Sequence, residues 1–186
     1  MFSTPLPPGA VLRPLEPWRA EEFAAHLDRA REHIRPWVGP SFVTTDVEGA
    51  RATLGRYAER AAREGAGIYG IWADGLLVGG VMFVEFSAAT GSFEVGCWLE
   101  PGAEGRGYVT AAVRELLAYA FDERGMHRAE WRCRSDNERS SAVARRLGMS
   151  LDGVLREAWP VGGVFHDKQV WSLLAGEWEA QRPATP

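Results

Sequence analysis

The stretch Glu104-Gly105-Arg106-Gly107-Tyr108-Val109-Thr110 joins two segments of different periodicity. Upstream, Phe93, Val95, Cys97 and Leu99 alternate with Glu94, Gly96 and Trp98, the period of two expected of a half-buried strand. Downstream, Val113, Leu116, Leu117, Ala120 and Phe121 recur at helical spacing, and Gly125 supplies a stop. The chain therefore passes from strand through a glycine-rich turn into a helix. The glycines let the backbone approach a ligand, and the first amides of a helix have no intrahelical acceptor, so the junction offers N–H groups and a positive dipole end to an anion. This is a candidate pyrophosphate cradle. A plain strand-to-helix connection explains so short a pattern equally well when it is taken alone.

Position in the chain narrows that choice. Asp74-Gly75 links residues 68–72 and 76–85 as a β-hairpin, because both turn residues tolerate positive φ. A turn containing Gly91 then leads into residues 93–99, so the cradle follows a three-strand antiparallel meander. A dinucleotide fingerprint instead follows a strand of a parallel βαβ unit, and a P-loop needs a lysine and a hydroxyl residue where Tyr108 and Val109 follow Gly107.

The flanking regions complete an α+β outline. Residues 11–12 read as a first short strand and Pro17 opens a helix over 17–30. Residues 33–42 carry prolines and Trp37 and read as a loop, after which Thr45 and Glu48 form a capping box for a helix ending near Gly65. Residues 128–133 are the next strand, and Ser135 with Glu138 caps a short helix bearing Val143, Ala144 and Leu147, stopped by Gly148. A last hairpin pairs 151–159 with 164–174, and a polar tail follows. One domain spans 1–186, with an ordered core over about 10–175 and the tail over 176–186.

Composition excludes several functions. With 186 residues, 46% hydrophobic, and a net charge of -4, the chain has no basic cluster to mark a nucleic-acid surface. Its longest apolar runs, such as 76–84, fall short of the roughly 20 residues that cross a bilayer. The proline-rich start lacks the pattern of a secretory signal, which points to the cytoplasm. Cys97 and Cys133 lie in apolar-alternating segments and read as reduced, buried thiols. His26, His33, His127 and His166 are scattered, so no metal site is expected.

With these residues in view, the sequence resembles the GNAT acetyltransferase superfamily, in its RimJ/RimL-like branch of ribosomal-protein N-terminal acetyltransferases. The likeness is carried by Gly105-Arg-Gly-Tyr-Val-Thr110, Ala118-Tyr-Ala-Phe121, Gly125-Met-His-Arg128, Asn137-Glu-Arg-Ser140 and Leu147-Gly-Met149, in the family's order and spacing. Phe93-Glu-Val-Gly-Cys-Trp98 and His33-Ile-Arg-Pro-Trp37 add to it. The resemblance implies a mostly antiparallel, twisted sheet of six to seven strands, splayed at the fourth and fifth, with about four helices. It implies acetyl-CoA as co-substrate, no metal, and transfer to a primary amine by direct attack through a tetrahedral intermediate. Glu104 and the amides of Gly105, Arg106, Gly107, Tyr108, Val109 and Thr110 would hold the coenzyme A pyrophosphate. Trp98 and Leu99 would pair with pantetheine like an added strand, and Asn137 and Ser140 would meet its end. His33 and Trp37 would line the acceptor pocket. Two positions depart from the pattern: Val109 stands where glycine or alanine is preferred, and Ala144 where many members carry a tyrosine that protonates the departing thiolate.

Acetyl transfer to an amine needs a neutral nucleophile, a donor for the developing oxyanion and a proton for sulfur. Glu94 is the preferred base, directly or through water, with Glu157 in reserve; a solvated carboxylate on a half-exposed strand is the plain alternative for Glu94. A backbone N–H near Trp98 or Leu99, freed by a strand bulge, is the expected oxyanion donor. With Ala144 unable to protonate sulfur, Ser140 or solvent does so, although a first-turn serine is also common for capping bonds. Trp37 is equally a packing anchor, and Asp167 would orient a loop or the acceptor amine. The acceptor is a protein N-terminal α-amine or a small amine. A coenzyme A-binding sensor without turnover, or an acetyltransferase of aminoglycoside-type antibiotics, remains as an alternative. Homodimerisation is expected through the last hairpin or the tryptophan-bearing loops.

Overall fold

In the computed structural model, residues 3–39, 42–64 and 67–181 are described. The strands are β1 (Thr4–Leu6), β2 (Ala10–Pro14), β3 (Ile68–Ala73), β4 (Leu76–Ser87), β5 (Ser92–Leu99), β6 (Arg128–Arg134), β7 (Ser150–Val161) and β8 (Val164–Leu174). The α-helices are α1 (Ala20–Ile34), α2 (Val47–Glu64), α3 (Tyr108–Ala118), α4 (Glu138–Arg146) and α5 (Ala175–Ala180). The strands form one open sheet of order β1-β2-β3-β4-β5-β6-β8-β7, mostly antiparallel, with β5 and β6 parallel. The mixed α+β class is as expected, with eight strands and five helices where six to seven and about four were expected. Contacts gather the chain into two compact units, Met1–Val84 with Gly96–Val113 and Glu85–Val95 with Arg114–Pro186.

In the first unit, β2, β3 and the start of β4 pair antiparallel, with Leu12 opposite Ile71 and Tyr69 opposite Val81; the last two are the expected hairpin of residues 68–72 and 76–85. Asp74 (φ 51°) and Gly75 (φ 80°) make the turn, both left-handed as a two-residue hairpin loop requires. The extra strand β1 starts the sheet before residue 10, pairing Thr4 with Leu12, and Leu6 is buried. Only three residues long and holding a proline, β1 has too little alternation to read from sequence.

Helix α1 runs four residues past the expected end because Phe23, Leu27, Ala30 and Ile34 continue one apolar face, packed with Ala50 and Leu54 of α2 and with Ile68, Trp72, Leu77 and Trp98. Burying each large apolar side chain contributes about 1.5–3 kcal/mol, enough to carry the helix up to Pro36. His33 therefore sits in the last turn of α1, not in a loop. At α2 the cap is Asp46 rather than Thr45: its Oδ1 accepts the Gly49 N–H at 2.7 Å. A carboxylate at a helix start gains from the dipole as well as the hydrogen bond.

In the second unit, β5 and β6 pair only over Ser92–Arg128, Phe93–Ala129 and Glu94–Glu130. The register stops there, which is the splay expected between the fourth and fifth strands of the sequence reading. Phe93 packs edge-on against Phe121, ring centroids 5.3 Å apart, and Phe121 stacks on Trp178 at 5.9 Å. Trp178 belongs to α5, so the stretch expected as a polar tail is helical to Ala180; the Trp178 indole donates to Asp122 Oδ1 at 3.0 Å. One tryptophan among polar residues shows no period, which hid this helix. Residues 182–186 of the expected tail lie outside the described residues.

The cap of α4 is Asn137, whose Oδ1 accepts the Ser140 N–H at 3.1 Å. Ser135 lies three residues before Glu138, the first helical residue, and its hydroxyl meets no hydrogen-bond partner among the described residues. Neither cysteine forms a disulfide; Cys133 is buried as expected and Cys97 only half-buried. Among the described residues no helix is long and apolar enough to cross a membrane.

Candidate active site

The cradle is built by the way β5 ends. Pro101 starts a 3₁₀ turn over Pro101–Ala103, the Glu104 N–H donates to Pro101 O at 3.2 Å, and the chain then turns through Gly105 (φ 74°) and Gly107 (φ 79°) into α3. The first amide of this stretch with a main-chain acceptor is Ala111, bonded to Gly107 O at 3.0 Å. The six amides of residues 105–110 donate to no acceptor among the described residues. Tyr108 and Val109 are buried, so their side chains anchor the turn from beneath, and the Tyr108 hydroxyl donates to Pro8 O at 3.4 Å. Val109, the bulkier residue at a position that favours glycine or alanine, thus spends its volume in the core.

A Cβ built on Gly105 or Gly107 meets nothing within 4 Å, so space before the turn is open. The glycines are needed for their left-handed φ as well as for close approach. An open run of amides at the mouth of an 11-residue helix fits an anionic diphosphate.

Glu104 does more than lead into the turn. Its Oε1 lies 2.7 Å from His33 Nε2, a hydrogen-bonded contact between this turn and the end of α1. His33, expected at the acceptor pocket, is thus found on the cradle's first residue. Trp37 is half-buried and its N–H donates to Ile34 O at 2.9 Å.

Trp98 is buried between Phe23 and Phe42, centroids 6.0 and 5.0 Å away, and its indole N–H donates to His26 Nε2 at 3.0 Å. His26 was not singled out by its sequence context. It is fully buried, and burial first and Arg29 second lower its pKa to about 4, offset in part by the Leu77 carbonyl. With Nε2 accepting, the neutral ring carries its proton on Nδ1, which lies 3.5 Å from Glu100 Oε2. Its place three residues after Phe23 and four before Ala30, on the apolar face of α1, was the available clue. Arg29 spans the same corner, donating to Leu77 O at 2.9 Å and meeting Glu100 at 3.4 Å. Leu99 is half-buried, and the Glu100 N–H after it donates to Val78 O at 2.9 Å. On the α2 side a cavity of about 200 Å³ is lined by Phe42, Thr53, Arg56, Tyr57 and Arg60.

In the second unit, Glu94 is largely withdrawn from solvent, its side chain 15% exposed, with Oε2 at 3.3 Å from Arg132 Nη1. Its pKa is raised, chiefly by burial; Arg132 and Lys168 oppose the shift, while Glu130 and Glu85 add to it. A carboxyl held in this way is a better proton acceptor than a solvated one. Ser140 Oγ accepts the Trp131 indole N–H at 2.9 Å, which orients the hydroxyl. Ala144 is completely buried. Glu157 is exposed on a bulge of β7 at φ 54°, and its N–H donates to Asp167 Oδ1 at 2.9 Å; Asp167 shapes the loop. Among the described residues no cluster of three or more His, Cys, Asp or Glu could hold a metal ion.

An open sheet with one short parallel ladder, and a helix mouth lined by bare amides at the end of the strand before it, define a coenzyme A-dependent acyltransferase. The acetyltransferase (GNAT) domain pattern matches residues 10–150. The putative ribosomal N-acetyltransferase YdaF of Bacillus subtilis is 30% identical, covering 98% of this chain and 100% of that protein. A crystal structure of a probable acetyltransferase shares 28% identity with a TM-score of 0.87, over 96% of this chain and 99% of that one. RimL, a ribosomal L7/L12 alpha-N-protein acetyltransferase solved with coenzyme A, has the same fold at TM-score 0.86 and 22% identity, over 94% of this chain and 99% of its own. The chain belongs to the GNAT acetyltransferase family. It is an acetyl-CoA-dependent N-acetyltransferase, and catalysis is favoured over a sensor without turnover.

Proposed function

We propose that the protein acetylates the N-terminal α-amine of a ribosomal-type protein, the whole chain serving as one catalytic domain. The observation that carries this reading is the open row of amides over residues 105–110; in the other unit, the largely buried Glu94, its pKa raised, supports it. The name of the full-length relative YdaF supports the acceptor class.

In this reading the amides of Gly105 to Thr110 take the diphosphate of acetyl-CoA. The main chain at Trp98 and Leu99 pairs with the pantetheine arm, and Asn137 and Ser140 meet the arm's end. An α-amine, whose ordinary pKa is about 7.7–8.0, needs only a mild base, which a carboxylate supplies directly or through one water. Glu94 takes the amine proton as nitrogen bonds to the thioester carbonyl. A main-chain N–H near Trp98 or Leu99 holds the oxyanion, and as the C–S bond breaks, Ser140 or solvent returns a proton to sulfur. Trp37 borders the acceptor. A cytoplasmic homodimer completes the reading, with Leu155, Val164 and Phe165 of the last hairpin as the exposed apolar surface a second copy would cover.

Thiol release from acetyl-CoA, measured over N-terminal peptides of ribosomal proteins, small polyamines and aminoglycosides, tests the acceptor. Peptides should turn over fastest. Preference for an aminoglycoside would replace the proposed acceptor, and tight acetyl-CoA binding with no consumption across the panel would remove catalysis.

A further inference from the structure

Glu94 and Glu130 face each other across the parallel pair, two carboxylates at one register position of adjacent strands. Like charges so placed repel, and the second unit resolves this with one guanidinium. Arg132, two residues along from Glu130, divides its donors: Nη1 reaches Glu94 Oε2 at 3.3 Å, while Nε and Nη2 hold Glu130 Oε2 at 3.1 and 2.6 Å. Glu130 is held from its other side by Arg128 Nε at 3.0 Å, and Arg128 is itself anchored on Asp152 at 2.5 Å. Asp152 in turn accepts from the Ser172 hydroxyl at 3.0 Å. The result is a chain of alternating charge that ends on Glu94, in which the tight contacts lie on Glu130 and the looser one on the proposed base.

We propose that Arg132 and Glu130 are a positioning pair for the acetyl-transfer reaction: Glu130 draws most of the guanidinium to itself, so that Arg132 orients Glu94 without quenching its basicity. This rests on Glu94 being the base. The remaining charged groups that face Glu94 are Glu85 from β4 and Lys168 from β8, of opposite sign. Arg132 and Glu130 thus form the adjustable part of its surroundings. The two residues act in opposite directions. Removing Arg132 takes away the cation that favours the carboxylate. Removing the Glu130 charge deletes a repelling anion and releases Arg132 toward Glu94, and both changes favour the carboxylate.

The test compares Arg132→Met, Glu130→Gln and Arg132→Lys with the unaltered protein in two measurements: the pH dependence of kcat/KM for a peptide acceptor, and a carbon-13 NMR titration of the Glu94 carboxyl. A full opposite charge near a carboxyl shifts its titration by about 1–3 units, and the partial exposure of this pair reduces that to about half a unit or more. The acid limb and the NMR midpoint should both rise in Arg132→Met and both fall in Glu130→Gln. Arg132→Lys keeps the charge but loses the fork, so its limb should stay near the original while kcat falls. Midpoints that stay together, or that move in one direction in both charge-removing variants, overturn the pairing. Glu94→Gln separates the two layers: an inactive Glu94→Gln with unmoved limbs sinks the inference alone, whereas full activity in Glu94→Gln removes Glu94 as base and the catalytic use of the pair with it.

Discussion

The two compact units supply different kinds of chemistry. The unit holding residues 105–110 offers main-chain N–H groups, fixed by two left-handed glycines and by Tyr108 and Val109 buried beneath. The unit holding Glu94 works through side chains, where a carboxyl is tuned by burial and by four charged neighbours on three other strands. A main-chain donor depends on backbone geometry, so it is robust to neighbours and sensitive to φ. A tuned carboxyl depends on neighbours and is indifferent to φ. Substitutions in the two units should therefore fail in different measurements.

The largest effect is expected from Glu94→Gln, which should lower kcat by about 10²- to 10⁴-fold, the usual worth of a general base, while acetyl-CoA affinity by titration calorimetry stays unchanged. A matching loss of affinity would erase the contrast between the units. Next comes His26 in the first unit. Its folded pKa of about 4 lies below the 6.5 of a solvated imidazole, so the unfolded chain binds the extra proton first. The stability conferred by a neutral His26 is intact above pH 6.5 and is lost as pH falls from there to about 4, a loss on the order of 3 kcal/mol. Urea denaturation between pH 4 and 7 should show this slope, and His26→Gln, which cannot titrate, should flatten it. His26→Leu should cost about 1–3 kcal/mol at neutral pH because the Trp98 indole N–H loses its buried acceptor.

Gly107→Val should weaken acetyl-CoA binding about tenfold, because a left-handed β-branched residue costs about 1–2 kcal/mol and the turn must shift to relieve it. The melting temperature should fall by only a few degrees, since the strain is not compounded by a clash of the added Cβ with a neighbour. The smallest change belongs to His33→Ala. Loss of a partly exposed hydrogen bond with Glu104 is worth about 0.5–1.5 kcal/mol, so acetyl-CoA affinity should drop only a few-fold. An effect on the acceptor KM alone would favour the acceptor pocket as the place where His33 acts.

The backbone of the 105–110 turn was readable because glycine and period leave marks in a sequence. Gly105, Gly107 and Asp74-Gly75 stand where positive φ is required, and the alternation over residues 93–99 placed β5. Caps slipped by one or two residues, Asp46 for Thr45 and Asn137 for Ser135, because several competent side chains stand together and the winner is set by which one enters the helix. The side-chain half was legible only in part. Glu94 could be named, but its burial and its neighbours come from strands far along the chain. His26 and Trp98 are 72 residues apart, and only their packing shows that one indole selects one tautomer. The strand Thr4–Leu6 and the helix Ala175–Ala180 were too short for any period to declare itself.

Nineteen of the twenty amino acids carry a backbone N–H, so most replacements on the exposed lip at Arg106 would leave its donor intact. Proline is the one residue that deletes it. The lip can drift under selection for something else, such as a new partner surface, and still grip a diphosphate. An inhibitor that engaged those nitrogens alone would leave the protein few single-residue routes to resistance.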